Sequence, residues 1–249
     1  MPGGKGANTA VAVSRLGAQV VFCSRVGDDA YGERLKKIYA ENGIDLRFVR
    51  TDKVGQTGLA VILVENDGSN RIIVYPGANM RISEGDVESA FTCCPDAVMA
   101  QLESGEDVAV YASQLAADEA IPFILDGGGA RSDFRLNKLA KVDIFSPNEI
   151  ETALITGIRP DTLDDCLRAS MAICSQTDVR YVVLKLGARG CYVYDGKYCD
   201  LIAPFVVQAV DTTAAGDAFT AALATEFLRT GDITASARYA NAVGALTVT

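Results

Sequence analysis

Hydrophobic and polar residues along the chain predict strands and helices in alternation. Apolar positions recur at helical spacing over Ala7–Leu16 and Tyr31–Asn42, and a glycine follows each run. The short apolar run Gln19–Ser24 between them predicts a strand. Further strands are predicted at Ala97–Gln101, Phe123–Asp126, Asp143–Ser146 and Tyr181–Lys185, with a β-rich meander over Cys191–Val207. Further helices are predicted from Ser83 to about Phe91, over Glu106–Ala117 and Asn148–Thr156, from Thr162 to about Gln176, and over Gly216–Leu228 and Ile233–Leu246.

One stretch, at about residues 46–75, breaks this alternation. Gly58–Val64 and Arg71–Tyr75 are rich in β-forming residues, and Asn66-Asp67-Gly68 between them is typical of a hairpin turn. We expect a small antiparallel insert here. Strands separated by helices elsewhere predict one α/β domain over residues 1–249, with a mostly parallel sheet covered on both faces. Ligands of such sheets bind beyond the carboxyl ends of the strands.

Composition removes several classes of function. The formal net charge of −9 argues against a nucleic-acid or acidic-membrane surface. The seven cysteines are scattered without a CxxC pair, which indicates free thiols in a reducing compartment, the cytoplasm or an organelle stroma. The longest apolar run, about residues 59–64, is too short to span a membrane. Because there is no histidine, proton transfer has to use a carboxylate, lysine, tyrosine or cysteine.

The strongest candidate for chemistry is the helix start within Val210–Phe219. The small residues Ala214, Ala215 and Gly216 lead into a helix, and its unpaired N–H groups suit an anion. Asp217 follows at once, placed to take a proton from a hydroxyl beside that anion. Taken alone, Asp217 has an alternative interpretation, because an acid at a helix start also complements the helix dipole.

Four other segments place polar groups or glycines at strand ends or helix starts. Each has an ordinary structural explanation as well, such as a helix cap, a tight turn or a surface acid. Ser146–Glu151 offers Asn148 and Glu151, which suit Mg²⁺ held through water. The remaining three are the glycine-rich helix entry Pro2–Asn8, the loop Lys185–Gly190, and Gln101–Glu103.

Taken together, these segments resemble the PfkB/ribokinase carbohydrate kinases. Pro2–Asn8 with Arg15–Ala18 is similar to the first signature of that family, and Asp211–Asp217 to the second. Ser146–Glu151 is similar to its N-x-x-E motif. The matching segments occur in the family's order and extend over essentially the whole chain. The resemblance implies a ribokinase-like three-layer α/β sandwich, in which the insert at about 46–75 is a small β lid over the sugar.

The resemblance also implies a reaction, transfer of the ATP γ-phosphate to a sugar hydroxyl, and a role for each matching residue. Asp217 is the expected base, and the backbone at Ala214, Ala215 and Gly216 the expected anion hole. The magnesium–phosphate cluster is assigned to Glu151 with Asn148. The sugar is assigned to Gly4, Lys5, Asn8, Glu103 and Asp217. The nucleotide is assigned to Asn148, Lys185, Gly187, Ala188, Arg189, Gly190 and Gly216. A monovalent cation, expected to be potassium, is assigned to Asp211, Thr213 and Thr247.

Within the family, Gln101–Glu103 and the overall spacing most resemble ribokinases, so D-ribose is the first expected substrate and ribose 5-phosphate its product. Fructokinase and nucleoside kinase activity remain open, since Asp126–Gly129 departs from the ribokinase pattern. So does a non-catalytic interaction protein. The resemblance allows a homodimer through the lid. It also places the family's first strand and its C-terminal segment outside the printed sequence.

Overall fold

The structure follows the predicted alternation over most of the chain. It is a computed structural model that describes residues 3–64 and 70–249. Its helices are α1 (Lys5–Arg15), α2 (Ala30–Glu41), α3 (Glu84–Phe91), α4 (Glu106–Asp118), α5 (Glu149–Thr156), α6 (Leu163–Cys174), α7 (Ala215–Thr230) and α8 (Ile233–Thr247). Its strands are β1 (Ser24–Gly27), β2 (Val49–Asp52), β3 (Leu59–Val64), β4 (Asn70–Tyr75), β5 (Val98–Ala100), β6 (Phe123–Asp126), β7 (Val142–Ser146), β8 (Val179–Lys185), β9 (Cys191–Tyr194) and β10 (Cys199–Ile202).

Local capping explains where several helices begin. Capping boxes form at the two helix starts predicted at Ser83 and Thr162: Ser83 exchanges hydrogen bonds with Asp86 at the start of α3, and Thr162 with Asp165 at the start of α6. Each box satisfies two backbone N–H groups that the first turn of a helix would otherwise leave unpaired. These entries therefore follow from the local sequence.

The central sheet has the strand order β10-β9-β8-β7-β6-β5. Strands β5 to β8 run parallel, whereas β9 and β10 are antiparallel, which makes the sheet mostly parallel as predicted. A buried apolar cluster lies between one sheet face and α3, α4 and α6. A second cluster lies between the other face and α7 and α8. Helices thus cover both faces, in the expected three-layer sandwich.

The predictions near the amino end need correction. Gln19–Ser24 is not a strand: Val21 forms a single bridge with Asp45, and β1 begins only at Ser24. The insert is also smaller than expected, because β2 pairs in parallel with β1 and does not belong to the antiparallel element. The predicted meander over Cys191–Val207 stops forming strands at Ile202.

The antiparallel part of the insert is the pair β3–β4, which we call the lid hairpin. It forms a two-stranded sheet with Leu59 opposite Tyr75 and Val61 opposite Ile73. The predicted turn Asn66-Asp67-Gly68 lies outside the described residues. No helix in the described part of the chain is long and apolar enough to cross a membrane.

Candidate active site

The predicted site segments meet at one edge of the central sheet. Strands β5, β6, β7 and β8 run parallel, so their carboxyl ends lie side by side. Gln101–Glu103 follows β5, Asp126 ends β6, Asn148 follows β7, and Lys185 ends β8. The starts of α1 and α7 reach the same edge, as the contacts below show. This is the edge at which α/β sheets bind ligands.

The start of α7 combines an open turn with a buried carboxylate. Ala214 has a left-handed backbone, with φ of 63°, and α7 begins at the next residue. The Ala215 N–H donates to Thr212 O, and the N–H groups of the first turn point out of the helix start. Asp217 lies in this turn and is only 4% exposed. The first turn of α7 therefore carries a carboxylate that is shielded from solvent.

Two residues of α1 hold Asp217. Asn8 Nδ2 donates to Asp217 Oδ2 at 2.8 Å, and Lys5 Nζ lies 3.8 Å from Asp217 Oδ1. Burial raises the pKa of Asp217, and it outweighs the Asn8 hydrogen bond and the Lys5 charge, which lower it. The carboxylate is thus a stronger proton acceptor than an exposed aspartate, with a positive charge close by.

Lys5 joins three of the predicted site segments. Its ammonium lies 3.7 Å from Glu151 Oε1, and its backbone N–H donates to Glu103 Oε2 at 3.1 Å. Burial lowers the pKa of Lys5, but the surrounding carboxylates, Asp217 and Glu151 foremost, together outweigh it and raise that pKa. The carboxylates of Glu151 and Asp217 therefore flank the ammonium, and Glu103 holds the backbone of the same residue.

A run of three glycines makes room for this group. A Cβ atom on Gly127 would lie 2.8 Å from Glu151 Oε2, and one on Gly128 would lie too close to Lys5 Cδ. Gly129 has φ of 86°, and a Cβ there would lie 2.5 Å from the Glu103 N atom. The segment Asp126–Gly129, which departs from the expected family pattern, thus lies against three site residues.

Asn148 and Glu151 form the capping box of α5. Asn148 Oδ1 accepts from the Glu151 N–H at 2.9 Å, and Glu151 Oε2 accepts from the Asn148 N–H at 2.8 Å. The ordinary capping interpretation is therefore correct for these bonds. The second carboxylate oxygen of Glu151 faces Lys5, so the same residue also belongs to the site.

Comparison with known protein families identifies the family of this chain. The pfkB family carbohydrate kinases match residues 1–249, the whole chain. The chain belongs to the pfkB family. As a carbohydrate kinase of this family, it is a sugar phosphotransferase, and the expected family and enzyme class are confirmed.

Individual pfkB relatives are similar along nearly the full chain. A ribokinase of Haemophilus influenzae is 34% identical over 251 residues, which cover 99% of this chain and 81% of that protein. A ribokinase of Arabidopsis thaliana is 32% identical over 258 residues, covering 100% of this chain and 67% of that protein. The structure of Arabidopsis thaliana ribokinase complexed with ribose and ATP superposes with a TM-score of 0.90 at 32% identity, covering 99% of this chain and 81% of the other. The expected fold class is confirmed.

Other predicted pfkB site residues lie at the rim. Gly187–Arg189 forms a 3-10 turn after β8, and Arg189 donates to Glu149 Oε1 and Pro160 O, both at 2.7 Å. The loop over residues 185–190 is thereby tied to α5. At the other rim, Asp211 Oδ1 accepts from the Thr213 N–H, and the Asp211 N–H donates to Val248 O at 3.3 Å. The end of α8, where Thr247 lies, therefore packs next to Asp211.

Two further residues, Asp126 and Thr220, lie beside these segments of the pfkB chain and were not among the predicted site residues. Both are 1% exposed, and both contact the ammonium of Lys185. The side chain of Lys185 is buried beside α7, and its assignment to the nucleotide stays a prediction. The available signal was an acid at the carboxyl end of the apolar strand Phe123–Asp126, directly before the glycines.

Proposed function

We propose that this pfkB enzyme transfers the γ-phosphate of ATP to a hydroxyl of D-ribose, giving ribose 5-phosphate. The observation that carries the proposal is the buried Asp217 in the open first turn of α7, bonded to Asn8. The relatives support the substrate, since two of the most similar are named ribokinases and one is solved with ribose and ATP.

Asp217 is the proposed base. A hydroxyl that attacks a phosphoryl group loses its proton as the new bond forms, and a carboxylate within hydrogen-bond reach accepts that proton. Burial raises the pKa of Asp217, which strengthens it as an acceptor, while Asn8 and Lys5 favour its ionised form. No histidine is present to take this role.

The backbone at Ala214, Ala215 and Gly216 is the proposed anion hole. The transferring phosphoryl group carries negative charge on its equatorial oxygens, and fixed N–H donors stabilise that charge. Ala214 has a left-handed backbone directly before α7, and N–H groups at the start of a helix suit an anion. Transfer then depends on positioning the hydroxyl between the base and these donors.

The proposed sugar contacts come from α1 and the loop after β5. Lys5, Asn8 and Glu103 all reach the space beside Asp217, and the backbone of Gly4 begins the helix that carries the first two. Their amide, ammonium and carboxylate groups match the donors and acceptors of a polyhydroxy sugar. The nucleotide would lie on the other side of the α7 start, along Asn148 and residues 187–190.

The residues present fit a magnesium ion that keeps most of its water. In the described residues, no group of three or more acidic, cysteine or histidine side chains could enclose a metal. Mg²⁺ bound with ATP needs only one or two carboxylates from the protein, and Glu151 would supply a carboxylate and Asn148 an amide oxygen, both through water. When bound, the ion would neutralise charge on the phosphates. Asp211, Thr213 and Thr247 offer oxygens for a potassium ion at the exposed rim.

The lid hairpin is proposed to close over the sugar and to join two copies of the chain. Leu59, Val61, Ile73 and Tyr75 share one face because they are cross-strand pairs, and each is between 45% and 60% exposed. Apolar patches of this kind on a two-stranded hairpin are typical of interaction sites. One face would exclude water from the reaction while another contacts the partner copy.

A reducing compartment, the cytoplasm or an organelle stroma, is the proposed location. All seven cysteines are free thiols. Buried Cys166 and Cys191 have raised pKa values, because burial disfavours the thiolate, so both are poor nucleophiles. This distribution is typical of cysteines that pack in a core.

The test of the base is Asp217→Asn, which keeps the shape and removes the proton acceptor. We expect kcat for ribose phosphorylation to fall by about 10²- to 10⁴-fold with an unchanged melting temperature. Asp107→Asn is the matched control, since it removes an exposed carboxylate from the first turn of α4. If Asp217→Asn keeps the wild-type kcat, Asp217 is not the base.

Ribose, fructose and adenosine in the same ATP- and Mg²⁺-dependent assay separate the family's substrates. A kcat/KM that is highest with ribose supports the proposal. A higher kcat/KM with fructose or adenosine would make that compound the substrate instead. No turnover with any of them, although Asp217 and its partners are in place, would favour the non-catalytic interaction protein.

A further inference from the structure

A second charged cluster lies directly behind the proposed base. Lys185 at the end of β8 is 8% exposed, and its ammonium lies 2.5 Å from Asp126 Oδ2 and 3.2 Å from Thr220 Oγ1. The Thr220 hydroxyl also contacts Asp126 Oδ2. We call these three residues the buried triad. It connects β6, β8 and α7 beneath the surface of the site.

Stability alone does not account for the buried triad. Removing two charges from water is costly, and apolar residues of similar volume often serve a core as well or better. Asp126 and Lys185 nevertheless form a buried ion pair at the carboxyl ends of β6 and β8. Their position in the fold suggests a functional reason for it.

The triad lies against the turn that carries the base. Thr220 follows Gly216 by one helical turn, and its hydroxyl lies 3.1 Å from Gly216 O. A Cβ atom on Gly216 would lie 3.8 Å from Lys185 Nζ, so the ammonium packs against the start of α7. A shift of the triad would move the Gly216 N–H group and Asp217 together.

The triad also contributes to the charge around Asp217. From β8, Lys185 favours the ionised carboxylate, and from β6, Asp126 disfavours it. From α1, Lys5 and the Asn8 amide favour the ionised form. Glu103 and Glu151 face the same Lys5 from the loop after β5 and from α5, and they compete for its charge.

We propose that Lys185, Asp126 and Thr220 are positioning residues for phosphoryl transfer, which hold the first turn of α7 and balance the charge behind Asp217. The inference rests on the proposed role of Asp217 as base. It assigns no direct substrate contact to the triad, because Asp126 and Thr220 are buried and engage Lys185.

Two single substitutions should shift the pH dependence in opposite directions. Lys185→Met removes a positive charge and leaves Asp126 unpaired, so the pKa of Asp217 rises and the acid limb of kcat/KM moves to higher pH. Asp126→Asn removes a negative charge, so that pKa falls and the limb moves to lower pH. The double variant removes both charges, and its limb should lie between the two.

The kinetic expectation is a fall in kcat with little change in binding. Each single variant should lower kcat by about 10- to 100-fold, because a misplaced turn weakens alignment in the transition state. KM for sugar and for ATP should change by less than about threefold. Thr220→Val, which removes only the hydroxyl, should also lower kcat, and Thr220→Ser should restore it. This second pair tests the proposal even if a charge variant fails to fold.

Lys141→Met is the matched control, because Lys141 pairs with Asp143 at 3.3 Å at the start of β7, the opposite end of the sheet. It should leave kcat and the pH profile unchanged. The proposal would be overturned if the acid limb of kcat/KM moved in the same direction in Lys185→Met and Asp126→Asn, or if it did not move and only stability fell. Equal kcat in Thr220→Val and wild type would also overturn it.

A titration that needs no turnover separates this proposal from the proposed function. In ¹³C-aspartate-labelled protein, the Asp217 carboxyl signal is assigned by its loss in Asp217→Asn. Opposite shifts of its pKa in Lys185→Met and Asp126→Asn support the charge balance even if no sugar is phosphorylated. Absence of both shifts overturns it even if ribose kinase activity is high.

Discussion

At the scale of single residues, Gly128 leaves the space that Lys5 occupies. A Cβ atom at this position would overlap Lys5 Cδ, and the flexible lysine would have to move. We expect Gly128→Ala to displace the ammonium from Asp217 and Glu151 and to raise KM for the sugar by about 10-fold, with a smaller effect on kcat. Steady-state kinetics with ribose as the varied substrate measures both.

Gly85→Ala is the control for the added methyl group. Gly85 lies in α3 without a positive φ, and a Cβ there would have only one neighbour, at 3.9 Å. It should leave both kinetic constants unchanged. A wild-type KM in Gly128→Ala would mean that the Lys5 side chain contributes nothing to sugar binding.

Sequence motifs locate some site residues and cannot locate others. Asp217 and Asn8 stand in recognisable segments, so their approach across 209 positions could be expected from the two signatures. Asp126 and Lys185 are 59 positions apart, and they meet because β6, β7 and β8 are neighbours in parallel register. That register is set by packing of the whole sheet, which no local pattern reveals.

At the scale of elements, hydrophobic pattern predicted Phe123–Asp126 correctly and placed the first strand wrongly. The apolar run at Gln19–Ser24 suggested a strand, yet the paired strand is β1, Ser24–Gly27. Arg25 in β1 is stabilised by ion pairs to Asp52 at 3.1 Å and Asp86 at 2.7 Å. A pattern of apolar residues does not predict a strand whose charged residue is stabilised by ion pairs to residues far away in the sequence.

Helix ends give a prediction on stability. Ala120 follows the end of α4 with φ of 56°, a left-handed backbone that costs an alanine about 1–2 kcal/mol relative to glycine. Ala120→Gly relieves this cost, and the extra freedom of glycine in the unfolded chain offsets part of the gain. We expect the free energy of unfolding to rise by about 0.5–1 kcal/mol, measured by urea denaturation with an unchanged m-value.

Gly157→Ala is the opposite substitution at a comparable helix end. Gly157 ends α5 with φ of 74°, and no atom lies within 4 Å of a Cβ built there. The change should lower the free energy of unfolding by about 1 kcal/mol through backbone conformation alone. If both variants shift stability in the same direction, left-handed strain does not determine these helix ends.

At the scale of the whole molecule, the lid hairpin exposes apolar side chains on both of its faces. Leu59, Val61 and Ile73 present apolar surface to solvent, and Ala60 and Val74 on the other face are exposed as well. A two-stranded sheet exposed on both faces is only marginally stable alone. Closure over the sugar and contact with a second copy would each bury one face.

This arrangement predicts that assembly and sugar binding are coupled through the hairpin. Val61→Lys places a charge in the apolar face, so we expect a dimeric wild type to become monomeric by light scattering, with a raised KM for ribose. Met171→Lys on α6 is the control, because Met171 is 53% exposed and lies outside the hairpin; it should change neither mass nor KM. A wild type that stays monomeric at every concentration would exclude the dimer. A raised KM in monomeric Val61→Lys would then assign the apolar face to closure over the sugar alone.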